Sequence, residues 1–482
     1  MRFQKSYKYL FLLIICILIF SLLLPGCGGK EAVTTKPAPE TSATETAEPA
    51  VTTVPEQTQE SNEPKIVVPY TQTIVGSRVI SLYYTGHGPW WGPNIVKIAS
   101  TEDKTFTYVM DCSTAPWRTF LYSKTEGGEW EEGESFDNTG NPPNLMIDSH
   151  GYIHLISFDR CLSDDFDVSW YGRIFHVKFD QPNTVSGSYS FEYITPDSRG
   201  TAHEPDDVAN PYVGAAIGED DTIMVVYPNN IPDPPPYTLG ARIYDPDTGS
   251  WSYETVTDDL PSTFCYPFAA VTDGYFHVLA IQDYFVESLP EGYAPYRFGI
   301  VRHFQRARDS DEWVESTLVD FTAEIDANPE VNDLLWLRTM DLFVDSSGTV
   351  HVMVRYNKNW SQGKSGDWKN TAFHYWKAED ATEWHSEQAI DEDCFWLKLW
   401  EREDSQLFYV YARMNRQIDL IPFGTNQHYT ISDFSSPYNT NPVPFIANPR
   451  SGTNPSSTLD LVIFSEMEET EAIAISCDVS GF

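Results

Sequence analysis

Apolar and polar positions along this chain fall into short alternating runs, and Asp/Gly turns punctuate them at a regular interval. The clearest copies run from Asn144 to His154 (NLMIDSHGYIH), from Ala269 to His277 (AAVTDGYFH) and from Leu342 to His351 (LFVDSSGTVH). Looser copies lie at 216–224 and 399–409. Each reads as an apolar strand, a tight turn and a second strand. A second hairpin interleaves with the first and carries an aromatic residue just after a polar turn: Trp130, Tyr189, Trp251, Trp313 and Trp384, spaced 59, 62, 62 and 71 residues apart. Each period therefore holds four short strands, a to d, in about 60 residues, which is the size of a propeller blade.

The expected fold is all-β, a seven-bladed β-propeller with units at 94–137, 144–195, 213–257, 267–320, 338–390, 395–434 and 443–480. The last unit shows three strands. The apolar stretch from Arg78 to Tyr84 is the expected donor of the fourth, which would close the ring and cover an exposed edge. Six blades with a divergent tail is the alternative.

The ends of the chain differ from this pattern. Arg2, Lys5 and Lys8 precede an apolar run from Tyr9 to Leu24, followed by Leu24-Pro-Gly-Cys27. A basic region, an apolar region and small exit residues make an export signal; an uncleaved membrane helix is the other reading of that run. Residues 28–65 hold no aromatic residue and are rich in Thr, Glu, Pro and Ala. Such a segment buries too little apolar surface to offset its ordering entropy. It is expected to be a spacer with a random-coil span of roughly 35 Å. The expected divisions are a signal at 1–26, a tether at 27–65 and the propeller at 66–482.

Charge narrows the partners. The net formal charge is −39, and three units more negative without the signal's cations. Nucleic acid and anionic lipid surfaces are excluded as general partners. Of seven cysteines, Cys16 lies in the signal, and five lie in the propeller with no CxxC spacing, so no zinc site is expected. Cys112 and Cys161 are the candidate disulfide pair, and five isolated thiols is the alternative.

Two resemblances add to this reading. Leu24 to Cys27 resembles the lipobox of bacterial lipoproteins, which implies lipidation of Cys27, a cell-surface or extracytoplasmic location and membrane contact through that residue only. The turn at 123–130 (SKTEGGEW) resembles the Asp-box of sialidase-like propellers at Ser123, Gly127 and Trp130, departing at Thr125 and Glu129. Asp247, Gly249 and Trp251 match it with one residue missing. That resemblance implies the same blade architecture. The Phe-Arg-Ile-Pro motif of true sialidases is absent, which argues against sialic acid cleavage.

Turns a–b and c–d are short, whereas the b–c and d–a connections are long and lie together on the opposite face. Binding residues concentrate on long loops held by a rigid scaffold. That face offers His87, Trp90, Trp91, Trp117, Arg118, Asp159, Arg160, Asp207, Asp283, Tyr356, Trp396 and Arg413. Exposed aromatic rings stack on sugars while Arg and carboxylates bond hydroxyls, so the leading expectation is recognition of a polysaccharide or glycan. An envelope protein that uses this chain as a scaffold is the expected partner of another class. A glycan-cleaving enzyme at the same face, a glycoside hydrolase or a polysaccharide lyase, is the third reading. Its candidate acid–base residues are His203, Glu204, Asp206, Tyr284 and Arg355. Several propeller lyases use His, Tyr and Arg there, and His87 or His203 with Tyr284 or Tyr356 suits that chemistry. No cofactor is expected. Calcium is the one cation that the cluster from His203 to Asp207 suits, against a solvated loop. The repeated histidines His154, His277 and His351, each facing His176, His303 or His374 one strand on, are read as packing residues, because a catalytic group occurs once and not three times.

Overall fold

The computed structural model describes residues 66–79, 92–111, 117–137, 142–160, 172–195, 212–229, 237–260, 262, 264–286, 296–327, 337–357, 370–390, 394–413, 417–432, 443–464 and 469–482. Their strands form seven antiparallel sheets. Blade 1 holds Ile98–Ser100, Lys104–Asp111, Arg118–Thr125 and Glu131–Asp137, and blade 2 holds Asn144–Ile147, Ile153–Arg160, Gly172–Phe179 and Tyr189–Tyr193. Blade 3 holds Gly214–Ile217, Ile223–Asn229, Tyr237–Asp245 and Ser250–Leu260, and blade 4 holds Phe264–Val271, Tyr275–Phe285, Tyr296–Ala307 and Val314–Asp320. Blade 5 holds Leu337–Val344, Thr349–Asn357, Asn370–Ala378 and His385–Ile390. Blade 6 holds Cys394–Glu401, Leu407–Arg413, Gln417–Pro422 and Tyr429–Ile431. Blade 7 takes Val443–Ile446, Thr458–Phe464 and Glu469–Asp478 from the C-terminal end of the chain. Each inner strand lies against the inner strand of the next blade, and Val443–Ile446 returns to Ile98–Ser100. The architecture is the seven-bladed propeller, not the six-bladed alternative.

The ring closes with a strand from the other end of the chain. Thr71–Val79 is the outermost strand of blade 7 and pairs antiparallel with Glu469–Asp478, from Thr71↔Ser476 to Val79↔Glu469. This corrects the expected donor at 78–84, of which 80–84 lie outside the described residues. An outer strand exposes one face to solvent, so its sequence (TQTIVGSRV) is largely polar and carries no long apolar run to betray it. Just upstream, Ile66–Val67 adds a parallel fifth strand to blade 6 against Tyr429–Ile431. The signal, Cys27 and the tether lie outside the described residues, as do Cys112 and Cys161; Cys265, Cys394 and Cys477 are buried.

The periodic aromatics explain how blades adhere. Each reaches back onto the blade before it. Trp130 Nε1 donates to Thr73 Oγ1 of blade 7 at 3.0 Å. The Tyr189 ring lies 5.0 Å from Phe136 of blade 1. Trp251 donates to Glu192 of blade 2 at 2.9 Å, and Trp313 bonds Glu254 of blade 3. Trp384 stands edge-on to His303 of blade 4 at 5.0 Å, and Phe423 of blade 6 does the same to His374 at 5.1 Å. The sequence period is thus the period of interblade contact. The His pairs sit inside these contacts, as packing residues of blades 2, 4 and 5.

One end of the central channel is plugged. The long a–b turn of blade 7 forms a short 3-10 helix, Pro449–Ser451, which touches the inner strands of blades 2 to 5. Arg450 is fully enclosed: Nε donates to Ala269 O at 2.9 Å and Nη2 to Asn94 O at 2.6 Å, with Asp341 at 3.4 Å. Lys398 shares Asp341 at 3.3 Å and donates to Pro93 O and Met340 O. Burial pulls the Lys398 ammonium down to about 8 and the Arg450 guanidinium to about 10, against the attraction of Asp341. Gly452 follows at φ +78, and a β-carbon there would lie 1.8 Å from Ile147 O. Both the backbone angle and the space require glycine. Gly452→Ala is expected to lower stability by about 2–4 kcal/mol, read as a lower urea midpoint at unchanged slope.

Candidate functional site

With the a–b end plugged, the other end of the ring is the face of long connections, and the buried segment from Gly92 to Val96 lies at the axis there. The inner strands of blades 3 to 5 reach it together. Blade 4's strand Phe264–Val271 is irregular there: its pairing with Tyr275–Phe285 slips between Cys265 and Phe268. The sequence reason is Pro267, which cannot donate to a ladder and so sits at a bulge. Tyr266 takes φ +49, an uncommon value for a residue with a β-carbon and more so for one preceding proline. The bulge turns the Pro267 carbonyl toward blade 3. There it accepts from Asn94 Nδ2 at 3.0 Å, and a β-carbon on Gly214 would lie 1.9 Å from it. Asn94 and Gly214 therefore hold the strained segment in place.

The bulge presents a compact set of groups. The Tyr266 ring lies 4.5 Å from Tyr212, which enters blade 3, and 5.9 Å from Phe298 of blade 4. The Tyr212 and Tyr266 hydroxyls share a hydrogen bond. Arg338, at the start of blade 5, acts on the same phenol. Burial nevertheless outweighs that cation and raises the Tyr266 phenol above the usual range, so it stays protonated and can donate but not abstract. Tyr212 is raised likewise by burial. Asp283, at the end of the second strand of blade 4, is 9% exposed and accepts from Cys265 Sγ at 3.7 Å. Burial lifts its carboxyl to about 7, with the thiol bond opposing. A phenol pair, a cation and a carboxyl lifted to about 7 thus lie close together.

The residues expected from sequence fare differently. Asp283 belongs to this group. Arg355 and Tyr356 end the second strand of blade 5; Arg355 is buried, and Tyr356 stacks on Phe373 at 4.4 Å. Tyr284 donates to Asp326 at 2.8 Å, on a short helix, Thr322–Ala327. Arg118 pairs with Asp137 of its own blade at 3.0 Å. Asp159 accepts from Tyr193 at 2.7 Å and lies 3.6 Å from Arg173. Arg413 bonds Asp419 at 2.6 Å and the Tyr411 hydroxyl at 2.7 Å inside blade 6. These pairs tie strands within a blade. Trp117 and Trp396 are in the core, 7% and 4% exposed, which corrects the expectation of open stacking faces: each flanks a loop but points between sheets. His87, Trp90, Trp91, His203, Glu204, Asp206 and Asp207 lie outside the described residues, as does the Arg160 side chain. Among the described residues no group of three or more His, Cys, Asp or Glu is placed to hold a metal ion.

Tyr212, Tyr266 and Arg338 were not singled out from sequence. The available signal was Pro267 inside an otherwise apolar strand.

No family model and no curated protein matches the chain. The Asp-box resemblance thus rests on the local hairpin pattern. Among solved structures, the fold is similar to a polysaccharide lyase described as a PL25 ulvan lyase, bound to -[GlcA(1-4)Rha3S]- (TM-score 0.53, 13% identity, covering 83% of this chain and 95% of that one). It is also similar to the polysaccharide lyase Uly1 (TM-score 0.51, 10% identity, 88% and 94% covered). At these identities the likeness is one of fold.

Asp283 carries a pH prediction. Its folded pKa lies above the unfolded value, so its contribution is full below about pH 4 and is lost as pH rises through about 7. Asp283→Asn should be more stable than the parent at pH 8 by on the order of a few kcal/mol, seen as a higher melting temperature, and the two curves should converge below about pH 4. Parallel curves would show that the carboxyl ionises normally.

Proposed function

We propose that the chain is a polysaccharide-directed propeller, held outside the cell membrane by lipidated Cys27, whose substrate-facing surface is the channel mouth at blades 3 to 5. The observation that carries this reading is Tyr266: a buried tyrosine held at positive φ on an innermost strand, bonded by Tyr212 and beside Arg338. Strain of this kind costs on the order of 1–3 kcal/mol and persists where the surroundings enforce it. Aromatic faces with a few convergent polar groups suit pyranose rings, and Arg338 favours a sugar bearing carboxylate or sulfate. The polysaccharide lyases of similar fold support the ligand class.

Tyr266 also favours cleavage over binding alone. A neutral phenol is a proton donor for a departing glycosidic oxygen, and a guanidinium beside it offsets the charge of a uronate. Asp283, near half-ionisation, is a second group able to exchange a proton at neutral pH.

The test is a panel of neutral and acidic polysaccharides with the chain from Ile66 onward, read for binding, for new reducing ends and for unsaturated uronates. Acidic polymers are expected to score highest. Tyr266→Phe keeps the ring and removes the hydroxyl; for an enzyme it should cut turnover about 10²-fold or more with binding retained, and for a binder it should change affinity by less than tenfold. A folded protein that engages no polysaccharide would sink the reading and favour a protein partner in the envelope.

A further inference from the structure

Three blades bury a stacked imidazole pair, and proton counting separates them. In blade 2, Asp148 Oδ2 meets His154 Nε2 at 3.2 Å, His154 Nδ1 meets His176 Nε2 at 2.9 Å, and His176 Nδ1 meets Glu192 Oε1 at 3.0 Å. The rings are 5.2 Å apart and nearly coplanar in orientation, at 3°. Three contacts need three N–H protons, and two neutral imidazoles supply two. The ends cannot supply the third as acids. The Glu192 carboxyl is held below its usual range by the bonds from His176 and Trp251. Asp148 is also held below its range: the bonds from His154 and the Tyr152 N–H, with the charge of Lys178 3.5 Å away, together outweigh its burial. The remaining neighbours of His176 are the Tyr244 and Trp251 rings of blade 3, at 5.7 and 5.4 Å.

Blade 4 is balanced. Glu379 meets His277 Nε2 at 2.9 Å and His277 Nδ1 meets His303 Nε2 at 3.3 Å, but His303 Nδ1 has no partner. Two contacts use two protons. Burial lowers both imidazoles, and Lys377 adds to this. Burial also pulls His154 of blade 2 down, to about 4, with His176 and Lys178 adding to it and Asp148 opposing it; a third proton in blade 2 rests on the contact count, against that pull. Here Thr272 stands where blades 2 and 5 have Asp148 and Asp345, and the next blade's Glu379 replaces the missing carboxylate, accepting also from Thr272 Oγ1 at 2.7 Å. In blade 5, Asp345, His351 and His374 form the same chain, and His374 Nδ1 meets the Tyr409 hydroxyl at 2.8 Å. That hydroxyl donates to Glu387 at 3.0 Å, so four contacts draw on three protons, from two imidazoles and a phenol, and by this count blade 5 is one short as well.

We infer that blade 2 stores one proton, shared between His154 and His176 and clamped between Asp148 and Glu192, as a pH-sensitive latch on the blade 2–blade 3 contact. The charge pins Glu192, which in turn accepts from Trp251 of blade 3 at 2.9 Å. The pair binds a single proton, because a second charge would lie about 3 Å from the first. A site that holds its proton more tightly folded than unfolded adds stability below the unfolded imidazole range and loses it as pH rises through the folded value.

Glu192→Gln tests this cleanly, since the side chain is 49% exposed. The glutamine amide can donate to His176 Nδ1 and close the chain without the extra proton; because Glu192 Oε1 is the atom that meets both His176 and Trp251, this gives up the Trp251 bond, a loss that does not vary with pH. Imidazole ¹⁵N spectra of the folded protein at pH 7 should show one charged ring in blade 2, both blade 2 rings neutral in the variant, and neutral His277 and His303 in both proteins. As pH falls from 8 to 6, the parent should gain on the variant by up to about tenfold per pH unit in the folding equilibrium. Neutral blade 2 rings in the parent at pH 7, or parallel stability curves, would overturn the inference.

Discussion

A ring of seven sheets has no free edge only if its last sheet is completed, and here the two ends of the chain complete it together. Thr71–Val79 supplies the outer strand of blade 7, and Val443–Ile446 meets blade 1 at the axis. Everything functional depends on that closure, because it fixes which residues can face one another across the channel.

The axis is then filled from one side. Arg450 and Lys398 converge on Asp341, two cations on one enclosed carboxylate, and backbone carbonyls of blades 4 and 5 and of the segment before blade 1 take up their remaining protons. A buried charge left without partners would cost several kcal/mol; the carbonyls of converging strands supply them because a propeller gathers its inner strands at the axis. The plug sits at the a–b end, and the strained turn at Tyr266 lies toward the face of long connections. The Pro267 bulge, the bare Gly214 and the Asn94 amide work as one unit: the proline breaks the ladder, Asn94 donates to the displaced carbonyl, and Gly214 leaves room for it.

The blade pattern was legible because its causes are local. Apolar runs, Asp/Gly turns and the aromatic after each c–d turn recur at a fixed interval, and the aromatic recurs because each blade needs an anchor on the one before. The closing strand was misplaced by several residues because an outer strand is half wet and carries no apolar signal. Arg118, Asp159 and Arg413 were rightly placed beside the long connections, but each has a partner in its own blade, which a linear sequence does not show. Trp117 and Trp396 were mistaken for open faces because an aromatic beside a loop can point either way. Tyr266 escaped notice because its strain arises from a slip in pairing between two strands.

The sequence by itself determined the blade period, the face that carries the long connections and the structural role of the repeated histidines, since each follows from period and spacing; that the ring has seven blades and not six was decided by its closing strand. Tertiary structure decided the rest. Which carboxylates lose their water, which phenol meets a guanidinium, and whether a buried imidazole chain is one proton short are set by groups brought together from distant blades. Desolvation and hydrogen-bond counting act on those groups only once the ring has closed around them.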